Sequence, residues 1–374
     1  MNIAIFRDGP FLPPLTGGAV SIYNLITELW RRGINVFLIK CYRKEDDYHL
    51  YAKEEFPTLF LKEKNYYLNI DPLVDFLKKN KIKIIHFDSA EAVNWQGNLI
   101  KFHIPHIKIV WEVHNVNHVL FSRLKEKIGK INLAIKQEKE ALTSADLILV
   151  RSKIDKYALL SIGGKENKIK IYKGGIKIGK QIKRSFPCKE KRDIIFIGNL
   201  FYSPNHEAVK IIDKIAIKML NYNFKILGPV DKNLITSIKS PNIKFLGPIK
   251  NPYKFYLTSF VGIAPLISGS GTRIKILEYL NAGLPTITTN LGIEGLDRRI
   301  KKVLIIEDNF EKYPITIEKL ANNPGKWVSF SRKGQRFVKK LYNWEKNVET
   351  IIKAYRQLIK PLKNEKKNYR ATIK

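Results

Sequence analysis

The chain has 374 residues, 44% of them apolar and 11% aromatic, which excludes a disordered protein and leaves room for two domains, each with its own core. Its formal charge of +33, from 67 Lys and Arg against 34 Asp and Glu, demands an anionic partner or an unusually lysine-rich proteome. Two cysteines, Cys41 and Cys188, show neither pairing nor metal-ligand spacing, which argues against a disulfide framework or a Cys-based zinc site and for a reducing cytoplasm.

The first element, Asn2–Phe6, reads as a short strand buried on both faces. It reaches charge at Arg7 too soon for a signal sequence, and no stretch approaches the roughly 18 uninterrupted apolar residues of a membrane span. A Gly- and Pro-rich loop from Pro10 ends in the pair Gly17 and Gly18. Helical periodicity over Ala19–Leu29 then stops at Gly33, and Val36–Ile39 forms a second strand, completing a βαβ unit. Further strands are expected at Ile82–Phe87, Ile107–Val113, Leu147–Val150 and Ile169–Tyr172, so residues 1–178 read as a doubly wound domain. His86 and His114 both fall at carboxyl strand edges, where ligands of such sheets bind. The Ser144–Ser152 stretch reads as architectural.

Residues 165–192 carry eleven Lys or Arg against Glu166 and Glu190, with Gly174 and Gly175 inside, and mark a linker. The α/β pattern then restarts over 190–342. A strand at Asp193–Gly198 leads through the turn Gly198-Asn199 to Asn205 and a helix near His206–Leu220. Strands follow at Phe224–Gly228, Ile243–Leu246 (ending at Gly247-Pro248), Val261–Pro265 and Thr286–Thr289.

Between the last two strands lies the segment Ser268–Asn290. Gly269 and Gly271 allow close backbone approach to a ligand, a helix starting near Arg273 offers unpaired N–H groups and a partial positive charge, and Arg273 and Lys275 add full charges. That is a cradle for a diphosphate. Glu278, one to two turns further, can accept hydrogen bonds from vicinal hydroxyls. Amphipathic residues 343–360 end the folded part as a helix carrying Val348, Ile351, Ile352, Tyr355 and Leu358 on one side, and 361–374 form a basic tail.

Several chemistries fail on spacing: there is no Walker loop, no Gly-x-Gly-x-x-Gly after the first strand, no His-Glu-x-x-His and no Gly-x-Ser-x-Gly elbow. An Asp-x-Asp metal pair is also missing, which points to a metal-independent reaction.

The Ser268–Asn290 segment resembles the donor-binding motif of retaining glycosyltransferases with the GT-B fold, family 4. In that motif an acidic residue, seven others and a Glu precede an Ala-Gly-x-Pro turn. Here the Glu is Glu278, the turn is Ala282-Gly283-Leu284-Pro285, and Ser270 replaces the first acid, as in a branch reading Ser-Gly-Thr-Arg-x-Lys-x-Leu-Glu. The resemblance covers most of the chain. It implies an α/β protein of two Rossmann-like domains facing each other across a cleft, with the C-terminal helix crossing back onto the first. It also implies a nucleotide-diphosphate sugar as co-substrate, with no cofactor and no metal, and transfer to a hydroxyl of a lipid-linked or glycan acceptor.

By the same resemblance, His114 would meet the transferred sugar, Arg273 and Lys275 the diphosphate, and Glu278 the ribose. Gly17 and Gly18 would face the phosphates, and Gly198, Asn199 and Asn205 the donor. Gly247 and Pro248 would approach the base, and Gly269, Ser270, Gly271, Thr272 and Ile274 would shape the cradle. The alternatives are a GT-B epimerase or phosphorylase-like enzyme, or an inert transferase fold that binds nucleic acid, although no nucleic-acid motif is found. An anionic membrane surface, where each Lys or Arg adds about 1 kcal/mol, is a further partner reading of the charge, and places the protein at the inner face of a membrane.

Overall fold

A computed structural model describes residues 1–8, 17–42, 56–62, 69–179, 182–187 and 192–360. Most of the first glycine loop, Cys188 and the basic tail 361–374 lie outside the described residues.

The first lobe is built on a parallel sheet of β1 (Asn2–Asp8), β2 (Asn35–Tyr42), β3 (Thr58–Lys62), β4 (Ile84–Phe87), β5 (Lys108–Glu112), β6 (Leu147–Val150) and β7 (Ile169–Ile171). Its order is β3-β2-β1-β4-β5-β6-β7. The second lobe repeats the plan with β8 (Asp193–Ile197), β9 (Asn223–Leu227), β10 (Ile243–Phe245), β11 (Val261–Ala264), β12 (Thr286–Thr288) and β13 (Ile305–Ile306), in the order β10-β9-β8-β11-β12-β13. Helices cover both faces of such sheets, so interior strands such as Ile84–Phe87 and Leu147–Val150 are buried throughout and, His86 apart, apolar without alternation.

The winding reverses beside β1, which pairs with both β2 and β4, and beside β8, which pairs with β9 and β11. Ligand crevices of open α/β sheets form at the carboxyl ends of strands at these reversals. The strands β3 and β13 have no counterpart in the sequence reading, although Leu59–Leu61 and Val303–Ile306 are apolar runs; both lie at sheet edges and are largely part-buried.

The two passages of chain between the lobes run side by side. Ile176 bridges Asn343, with the Ile176 amide 2.9 Å from the Tyr342 carbonyl. The helix Trp344–Leu358 starts from the Asn343 side chain, which accepts from the Glu345 amide at 2.9 Å. It buries Val348, Ile351, Ile352 and Tyr355 in one cluster with Ile22, Leu25 and Ile26 of the first lobe. Each such side chain contributes about 1.5–3 kcal/mol on full burial.

Candidate active site in the cleft between the lobes

The carboxyl ends of the two sheets enclose a cleft of about 630 Å³. Its second-lobe wall is the loop 268–273 and the helix Ile274–Asn281, which turns Ile276, Leu277 and Leu280 into the core. Gly269 and Gly271 both have positive φ, +97° and +76°, a region that side chains rarely adopt. Space also forbids a side chain at Gly271, where a β-carbon would stand 2.6 Å from the His114 carbonyl oxygen and from the Asn115 carboxamide.

Three charged residues of the cradle face the cleft. Arg273 precedes the first helical residue and turns Nη1 back onto the Ser270 and Gly271 carbonyls, the latter at 2.5 Å. Its Nη2 is buried with no hydrogen-bond partner among the described residues. Lys275 donates to Asn205 Oδ1 at 2.7 Å and lies 4.1 Å above the Phe196 ring. Burial, and then the like charge of Arg273, push its ammonium down to about 7, against the opposing pull of Glu278. Glu278 accepts from the Tyr256 hydroxyl at 2.9 Å. Burial raises its carboxyl above the usual range, while Tyr256 and Lys275 hold it back.

The first-lobe wall carries Gly18, His114, Asn115 and Arg151. With its carboxamide nitrogen turned to donate, Asn115 reaches Ser270 Oγ at 3.1 Å and the Ser270 and His114 carbonyls at 3.2 Å, so loop and strand end are bonded across the cleft. Arg123 makes a second bridge, with Nη1 and Nη2 at 2.6 and 3.1 Å from the Glu294 carboxylate and Nη1 at 3.2 Å from the Gly269 carbonyl.

His114 follows β5. Its Nδ1 lies 3.1 Å from Arg151 Nη2, which also donates to Glu112 Oε1 at 2.7 Å and to Ser21 Oγ at 2.5 Å. The other ring nitrogen, Nε2, is buried without a partner among the described residues. Burial pushes the imidazole down to about 3; Glu112 opposes that shift and Arg151 adds to it, so the ring is neutral at physiological pH. Burial disfavours a charged Glu112, yet His114, His86 and Arg151 together hold its carboxyl well below the usual range.

Of the residues singled out in the sequence, Gly18, His114, Gly198, Asn199, Asn205 and Pro248 line this one cleft, together with the stretch Gly269–Lys275 and Glu278. Three do not. Gly17 opens the first helix one residue before the lining Gly18, and Gly247, next to the lining Pro248, accepts from the Gly228 amide at 2.8 Å. His86 is fully buried, 2.5 Å from the Tyr355 hydroxyl and 3.0 Å from Glu112 Oε2.

Sequence reading missed Arg151, Glu112, Asn115 and Tyr256. A signal existed for Arg151: an arginine directly after the apolar run Leu147–Val150 sits at a carboxyl strand edge, where burial must be compensated. Tyr256 gave none, because its helix Tyr253–Thr258 has only 6 residues and is remote in sequence from Glu278.

The family described as Glycosyltransferase Family 4 matches residues 15–179, and that described as Glycosyl transferases group 1 matches residues 191–323. No curated protein sequence matches the chain. Among solved structures, sucrose-phosphate synthase from Thermosynechococcus elongatus is similar, at 14% identity over 96% of this chain and 99% of that one, with a TM-score of 0.76. The Anabaena protein HepE, in complex with UDP and glucose, superposes with a TM-score of 0.74 at 12% identity, over 96% of this chain and 100% of that one. WaaG, a glycosyltransferase involved in lipopolysaccharide biosynthesis, gives a TM-score of 0.70 at 14% identity, over 94% and 99%.

Proposed function

The chain belongs to the family 4, group 1 glycosyltransferases and is a transferase of the GT-B fold, and we propose that it moves a sugar from a nucleotide-diphosphate donor to a hydroxyl with retention of anomeric configuration. The observation that carries this reading is the placement of the cradle Gly269–Lys275 and His114 on opposite walls of one cleft. Uridine diphosphate sugars are the first candidates for the donor, since the similar HepE structure holds UDP and glucose.

As the bond from the anomeric carbon to the diphosphate breaks, negative charge grows on the leaving group. Lys275, the unpaired Nη2 of Arg273 and the partial positive charge at the amino end of the helix Ile274–Asn281 bind that charge more tightly as it develops, although the Ile274 and Ile276 amides themselves already donate to the Thr272 and Arg273 carbonyls at 3.1 Å. A departing phosphate oxygen takes the proton of the acceptor hydroxyl, whose oxygen bonds to the anomeric carbon on the face just vacated. Neutral His114 donates from Nε2 to a hydroxyl of the transferred sugar, and Glu278, steadied by Tyr256, holds the ribose.

The acceptor is a glycan or a lipid-linked sugar. The excess of Lys and Arg suits an anionic bilayer that presents such an acceptor, a reading tested by salt-sensitive binding to phosphatidylglycerol vesicles and refuted by equal binding to neutral ones.

The test is a thermal-shift comparison of UDP-, GDP- and ADP-sugars, followed by NMR of the product's anomeric centre. A donor at 100 times its Kd adds about 2.7 kcal/mol of stability. An inverted anomeric centre would refute retention, and no shift with any nucleotide sugar would refute the donor site.

A further inference from the structure

Arg151 has no role in the proposed reaction, yet it is 6% exposed and bonds to three polar side chains through a single nitrogen. One guanidinium nitrogen, Nη2, faces Glu112 Oε1 at 2.7 Å, Ser21 Oγ at 2.5 Å and His114 Nδ1 at 3.1 Å. Two protons are shared among these three neighbours. Whatever share His114 receives, a guanidinium nitrogen donates and cannot accept, so the ring atom it faces must present a lone pair. The imidazole proton then belongs on Nε2, the atom that is buried in the cleft wall without a partner. Glu112, fully buried, keeps Arg151 in place and also accepts from the Tyr172 hydroxyl. The chain of contacts continues from Glu112 Oε2 through His86 to Tyr355 of the helix Trp344–Leu358, which packs on this lobe.

We infer that Arg151, anchored by Glu112, is a positioning residue that locks His114 as a one-sided hydrogen-bond donor, with Nδ1 as acceptor toward Arg151 and Nε2–H toward the transferred sugar. This deepens the reading of His114 as a sugar contact and rests on it for its effect on catalysis, but the tautomer itself does not depend on that reading. A ring fixed in this way can recognise a hydroxyl oxygen and cannot serve as a proton acceptor. Its contribution is therefore orientation of the sugar, and not general base catalysis.

The experiment uses the full-length enzyme labelled with 15N-histidine, with His114→Gln to assign the ring. The native spectrum should show His114 with an unprotonated Nδ1 and a protonated Nε2. Arg151→Lys, which keeps a donor at this place, should retain that spectrum and most of the activity. Arg151→Met leaves Glu112 buried without its charge partner and can unfold the lobe, so it is paired with Glu112→Gln in a double variant that removes both charges. In the folded double variant the two tautomers should mix and kcat should fall about 10²-fold, the scale for a misplaced catalytic contact, while donor KM changes less than about twofold. A native spectrum with the proton on Nδ1, or a double variant with unchanged kcat, would overturn the inference. An enzyme with the expected tautomer that transfers no sugar would instead refute the catalytic reading and leave the lock standing.

Discussion

A β-carbon on Gly271 would stand 2.6 Å from the carbonyl oxygen of His114, so the tip of the donor loop meets the chain just beyond β5 with no room for a side chain on the loop residue. Chemistry requires both walls at once, and this contact sets how near they come. Gly271→Ala combines a clash across the cleft with a strained φ of +76°. It should lower kcat/KM by about two orders of magnitude. Small-angle scattering should show the lobes moved apart; native turnover in this variant would show that the closeness is incidental.

Arg273 has two tasks that the variants can separate. Nη1 ties the Ser270 and Gly271 carbonyls, and Nη2 remains unpaired in the cleft wall. Arg273→Ala should cut turnover by around two orders of magnitude, the scale for loss of one charge-stabilising donor. Arg273→Lys should recover little of it, since an ammonium cannot hold two carbonyls and face the leaving group as a planar fork does. Full activity in the alanine variant would remove Arg273 from the reaction.

Glu278 and Tyr256 should behave as a pair in donor binding. Glu278→Ala should raise donor KM at least as much as it lowers kcat. Tyr256→Phe removes the 2.9 Å bond to Oε2 and should raise KM about fivefold, since a net hydrogen bond contributes about 1 kcal/mol. Steady-state kinetics on the two single variants and the double variant decide this, and simple multiplication of the two effects would show that the residues act separately.

Much of this site was legible in the sequence because its elements are local. The Gly-Ser-Gly-Thr-Arg loop, the helix that follows and Glu278 are contiguous, so glycine conformation, helix polarity and charge could be read together. The parallel strands were legible from their apolar runs, as at Leu147–Val150. What escaped was assembled by topology. Arg151 approaches His114 only because β5 and β6 are neighbours in the sheet, and Tyr355 approaches His86 only because the last helix returns to the first lobe. The Arg123–Glu294 bridge joins residues 171 positions apart and has no signature shorter than the fold itself.

The lysine of the cradle should make donor binding depend on pH. Lys275 falls from an ordinary 10.5 to about 7 because burial and Arg273 disfavour its charge. Between those values the unfolded chain binds a proton that the folded one does not, so this residue's contribution to stability rises with pH across that window. Below about 7 the charge is present in the folded protein and costs stability in the empty cleft. A bound diphosphate reverses the balance by pairing with that charge and raising the pKa, so donor binding above about 7 takes up a proton. Donor KM should therefore climb as pH rises from 6 to 9, and the binding enthalpy should vary with the ionisation enthalpy of the buffer. In Lys275→Met both dependences should flatten, with KM raised about tenfold or more at pH 6, as expected for one charged hydrogen bond of about 1.5–3 kcal/mol. A native KM that is level across this range, with no buffer dependence, would mean that Lys275 does not meet the phosphates.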